Sequence, residues 1–146
     1  MSKADFTILE ELVLTVDKIG YEKTLEIIKN SRNLAKDKDI VLQEFIVQTV
    51  CQVFSLSKKD LYKGKGSNHK TNALALCSVE LKGHLGYSQG RIASILKKHD
   101  SVISKYIKKV TYLDENHSED KLLLAKLDNI EIKVRDFKNR VINENI

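Results

Sequence analysis

Proline and tryptophan are absent from this chain of 146 residues, which has only six glycines, two cysteines and one methionine. Without proline no helix is kinked or stopped by a missing N–H, so helix ends have to come from capping residues and glycine. No alternating run of β-branched residues bounded by turns is present, and the apolar segments repeat with helical spacing. The expected fold class is all-α: a helical bundle with a central helix-turn-helix and a long C-terminal helix. A chain of this length fits one domain that buries roughly 70% of the surface its unfolded form exposes.

Other absences narrow the chemistry. Cys51 and Cys77 fall in apolar helical patterns with no CxxC and no Cys/His ligand spacing, as expected of small buried thiols kept reduced. No stretch reaches the roughly 18 consecutive apolar residues of a membrane span. The opening "MSKADFTILEE" lacks the basic, apolar and small-residue regions of a signal peptide. The expected location is cytoplasmic, with no membrane partner. The four histidines, 69, 84, 99 and 117, scatter over expected loops and turns, and neither HExxH nor GxSxG occurs. "KGKGSNHK", residues 63 to 70, combines glycine with lysine, but GxxxxGK[ST] is missing and no strand precedes it. No enzyme activity, metal or cofactor is expected.

What is present is lysine, twenty-one against four arginines. The net charge of +5 is unevenly spread. Residues 58 to 109 hold twelve basic and three acidic side chains, a local +9, while the flanks together carry −4. A basic middle between mildly acidic ends suits a polyanion-binding surface.

The helices can be placed from their apolar periods. Phe6, Leu9, Val13 and Val16 precede Gly20, and a second helix runs from Tyr21 through Leu25 and Ile28. These form an expected N-terminal hairpin over residues 1–38. Leu42, Phe45, Ile46, Val50 and Val53 line a third helix, and Ser57 with Asp60 resembles a capping arrangement opening a short turn that ends near Tyr62. After the basic loop 63–70, a buried helix is expected from about Thr71, terminated by Gly83 and Gly86, and Ser88 caps the next.

"IASILKKHDSVISKYI", residues 92 to 107, breaks into charge between two apolar-faced helices. A helix-turn-helix needs an apolar residue followed by a small one where its helices cross, supplied here by Ile92-Ala93, with Leu96 one turn on. Val102, Ile103, Tyr106, Ile107 and Val110 would face inward. Asp100, Ser101, Ser104, Lys105 and Lys108 would face outward. On this basis double-stranded DNA is the expected partner. Lys63, Lys65, Lys70, Lys97 and Lys98 serve as phosphate clamps, and Ser101, Ser104 and Lys105 as candidates for base edges. Asp100 could accept from a cytosine amino group or cap the second helix, and His99 could touch a phosphate or fill the turn. Arg91 and Lys108 would lie near the DNA backbone.

Residues 45 to 113 carry a more particular resemblance. The helix Phe45–Phe54, the Asp60-Leu61 element, the basic loop, the alanine-rich helix from Ala73 to Leu81 and "KHDSVI" at 98 to 103 follow one another in order. This series resembles the DNA-binding C-terminal domain of the bacterial chromosomal replication initiator DnaA, a helical module related to the Trp repressor. The resemblance implies a DNA-binding domain over 39–113 with a regulatory or replication-associated role. It also implies that His69 stands near the family's minor-groove arginine.

The last segment, 114–146, has the most regular pattern. Leu123, Leu127, Ile130, Val134, Phe137 and Val141 form a heptad seam, and Ser118 is the expected N-cap. Two packings are open: against the N-terminal helices of the same chain, or as a homodimer whose DNA half-sites would lie about 34 to 36 Å apart. A helical adaptor acting through this seam is the rival to DNA binding.

Overall fold

The computed structural model describes residues 38–63 and 67–143. The expected N-terminal hairpin, 1–38, lies outside the described residues except for Lys38, as does Lys65 of the basic loop. The class is all-α, as expected, with six α-helices and no strand among the described residues. They are α1 Lys38–Val53, α2 Lys58–Tyr62, α3 Asn68–Leu85, α4 Gln89–Leu96, α5 Asp100–Thr111 and α6 Ser118–Phe137, followed by a π-helical stretch Lys138–Asn143. No helix of the described residues is long and apolar enough to cross a membrane.

By its contacts the chain sorts into two compact units. One comprises 1–48 with 132–146, the other 49–131. The second holds α2 to α5, where α3 packs on α5, α4 on α5, α3 on α4 and α2 on α3. Its center is α3, in which every residue from Ala73 to Ser78 is buried. Small side chains at Ala73, Ala75, Cys77 and Ser78 let neighbors approach on all sides, and the Ser78 hydroxyl is satisfied by donating to the Leu74 carbonyl at 2.8 Å. Both cysteines are buried and free.

Every helix end that shapes this unit is made without proline. Ser57 accepts from the Asp60 N–H at 3.0 Å, and Ser88 from the Arg91 N–H at 3.2 Å, as their positions suggested. Three ends differ from expectation. Ser67 caps α3 by accepting from the Lys70 N–H, so this helix starts at Asn68 and takes His69 and Lys70 out of the loop. Gly83 stays inside α3, and only Gly86, at φ +66, ends it. At α6 the helix already includes Ser118, with the His117 carbonyl accepting from Lys121.

Two non-glycine residues adopt left-handed backbone, Ser55 at φ 54 and Lys97 at φ 57. Each sits just past a helix in a Schellman turn: the Leu56 N–H donates to the Cys51 carbonyl, and the Lys98 N–H to the Ala93 carbonyl, both at 2.9 Å. Across the second turn α4 buries Ile92, Ala93 and Leu96. Of the five apolar residues expected inward on α5, only Ile103 is fully buried; Val102, Tyr106, Ile107 and Val110 are half-buried.

In the other unit, Phe137 stacks on Phe45 with centroids 3.9 Å apart and planes within 8°. Val134 and Val141 of this unit are also buried; Leu123 and Ile130, earlier on α6 and in the 49–131 unit, are buried as well. Leu127 alone of the six seam residues is half-exposed. Of the two packings open to the seam, burial of five of its six residues within the single chain agrees with the intrachain one.

Phe137→Ala should lower unfolding free energy by about 3–5 kcal/mol in urea titrations, the cost of truncating a buried aromatic. Lys97→Gly should raise it by about 0.5–1 kcal/mol, since left-handed backbone costs an L-residue somewhat more than glycine's extra chain entropy. The urea midpoint would move upward with an unchanged slope.

Candidate nucleic-acid interface

The left-handed turn at Lys97 sets where its long side chain goes. Its Nζ lies 5.3 Å from the centroid of the Tyr62 ring, a cation–π approach that joins the turn after α4 to the end of α2. Lys59, Tyr62, Lys63 and Lys97 line a concavity of about 250 Å³. Among the described residues no carboxylate lines it, so three lysines and one aromatic ring form its lining. Such a recess concentrates positive potential for an anion. Lys63 and Lys97, 34 positions apart, are thus brought together by the fold.

Lys59 and Tyr62 were not among the residues picked from sequence. The signal was available: Lys59 lies three and four positions before Tyr62 and Lys63, one helical turn in a segment whose Ser57 cap was legible. Lys98, beside Lys97 in the turn, is half-buried.

The exposed face of α5 continues the polar surface. Ser101, Lys105, Lys108 and Tyr112 are all exposed and recur at four, three and four residues, so they share one stripe. Tyr112 is 81% exposed. Ser104, expected at a base edge, is half-buried at the margin of this stripe.

At the start of α5 the roles of His99 and Asp100 exchange. His99 is the N-cap: its Nδ1 accepts from the Ser101 N–H at 3.2 Å and lies 2.9 Å from the Ser101 hydroxyl. With Nδ1 accepting, the ring proton sits on Nε2, a donor on an exposed side chain. Asp100, weighed as the cap, is instead the first helical residue. Its Oδ2 stands 3.5 Å from the position a Cβ would take on Gly90, in the first turn of α4. There a carboxylate is favored by the positive ends of two helices.

Two residues expected in the basic loop sit elsewhere. Lys70 is 8% exposed, because the Ser67 cap starts α3 early enough to put this residue on the helix and not in the loop. His69 is exposed but committed elsewhere. Its Nε2 donates to the Phe54 carbonyl at 2.6 Å, and its ring tilts against the Phe54 ring at 5.2 Å. It lines a separate groove of about 280 Å³ with Phe54, Asn72, Leu122 and Lys126, among others. Both His69 and His84 lie on α3, not on loops. Arg91 holds its guanidinium 3.9 Å over the Tyr87 ring, which fixes a planar cation on exposed α4 surface.

Tyr106 anchors α5 from its inner side, and burial raises its phenol above the ordinary value of 10.0. The folded state therefore holds this proton more tightly than the unfolded chain. The stabilization is fully present below the unfolded value and is lost as pH rises through the folded one. Phenolate absorbance should show Tyr106 titrating late, and Tyr106→Phe should remove its late contribution. No family model, no curated protein and no solved structure matches this chain.

Proposed function

We propose that this chain is a non-catalytic, duplex DNA-binding protein. One observation carries the proposal: Lys59, Lys63 and Lys97 gather around Tyr62 beside the turn that starts α5, and α5 exposes Ser101, Lys105 and Lys108 in one stripe. On this reading α4, the turn 97–99 and α5 act as a helix-turn-helix, with α5 as the helix entering the major groove. The recess holds a backbone phosphate. Phosphate contacts there set register and affinity but carry no sequence information, whereas Ser101 and Lys105 meet base edges, Lys105 suiting guanine acceptors.

His99 contributes by capping α5, and its Nε2 proton is placed to donate to a phosphate oxygen. Lys98 and Lys108 flank the contact. The resemblance to the replication initiator's DNA-binding domain agrees with a regulatory or replication-associated role in the cytoplasm. An adaptor acting through the C-terminal seam has less to recommend it, because five of the six seam residues are buried within the chain.

Fluorescence anisotropy with a random-sequence duplex pool tests the proposal. With five or six phosphate contacts the log–log dependence of affinity on salt should have a slope of about −5. Lys59→Glu with Lys97→Glu should weaken binding across all sequences and flatten that slope by about 2. Absence of binding at low salt, or a double variant that binds as the parent does, would remove the proposal.

A further inference from the structure

A second constellation shares no residue with the cationic recess. Glu80 and His84 stand one helical turn apart on the same face of α3, and Glu131 reaches them from α6. The His84 Nε2 is 3.0 Å from Glu80 Oε2, and 3.1 Å from both Glu131 Oε1 and Glu131 Oε2. The side chains are largely withdrawn from solvent, with 2% of Glu80, 11% of His84 and 28% of Glu131 exposed.

An ion pair alone accounts poorly for this geometry. Nε2 carries at most one proton, which points along one direction in the ring plane, while three oxygens converge on that nitrogen. The two Glu131 oxygens are equidistant from it at 3.1 Å.

Metal dimensions fit these separations. Zinc binds imidazole nitrogen at about 2.0–2.1 Å and carboxylate oxygen at about 2.0–2.2 Å, so tetrahedral donors lie about 3.4 Å apart. One donor atom from each of the three residues lies within 4.8 Å of the others, and the shortest separations need to open by only a few tenths of an ångström. An imidazole among the ligands favors zinc-like ions over magnesium or calcium, which take oxygen ligands. The partly exposed side at Glu131 leaves room for water as a fourth ligand.

We infer that Glu80, His84 and Glu131 form a binding site for one divalent transition-metal ion of the zinc class, clamping the last turns of α3 to α6. The helical spacing of Glu80 and His84 was visible in the sequence; the third ligand, 47 residues beyond His84, was not.

The test uses the whole chain, stripped with a chelator and titrated with Zn²⁺ by calorimetry and with Co²⁺ by visible absorption. The parent should bind one equivalent, show the d–d band of a low-coordinate Co²⁺ site and melt at higher temperature with Zn²⁺ than without. Glu131→Gln and His84→Asn should each keep the helical circular dichroism. Each should also weaken Zn²⁺ binding by more than the roughly 10- to 100-fold that loss of an outer-sphere partner costs. Equal binding by parent and both variants would place the ion on other side chains and overturn the inference. So would the absence of binding by the parent. Neither outcome bears on the DNA reading, which involves different residues and a different probe.

Discussion

The Lys98 N–H donates to the Ala93 carbonyl across a turn whose middle residue, Lys97, is left-handed, and the proposed interface depends on that bond. It closes α4 one residue after Leu96 and leaves only 97 to 99 before α5 begins. A turn that short requires a small side chain where the helices cross, which is why Ala93 is buried between Ile92 and Leu96. The same backbone conformation sends the Lys97 side chain toward Tyr62. The apolar crossing and the cationic recess are therefore two consequences of one hydrogen-bonded turn.

A glycine would adopt that conformation without strain, yet a lysine occupies it. Left-handed backbone costs a non-glycine residue about 1 kcal/mol or more, and such outliers gather where a side chain is needed in a particular place. Ser55 presents a useful contrast. It has the same backbone conformation in the same kind of turn, and it leads into Ser57, the cap of α2. Together the two turns hold α2 against α3 and bring Tyr62 under Lys97.

Much of the local structure was legible in the sequence because it rests on near neighbors. Ser57 and Ser88 cap the helices that their positions announced, Ile92, Ala93 and Leu96 face inward, and both cysteines are buried. The misplacements came from competition between adjacent candidates. Ser67 and the residues after it could have stayed in the loop, and the choice of Ser67 as cap moved Lys70 from surface to interior. His99 and Asp100 both suit an N-cap, and the Ser101 N–H went to the histidine. Gly83 and Gly86 both suit a helix end, but only Gly86 adopts positive φ.

Sequence alone determined the all-α class, the approximate helix order, the basic center and the apolar faces, because these follow from composition and from spacings of three and four residues. Tertiary structure decided which distant groups meet. It placed Lys63 beside Lys97 and brought Glu131 to His84. It also stacked Phe137 on Phe45 and buried five of the six seam residues. A seam of that spacing presents the same apolar stripe to a helix of its own chain or of another. Only the packing of the whole chain selects between them, because burial depends on what lies across the stripe and not on the stripe itself.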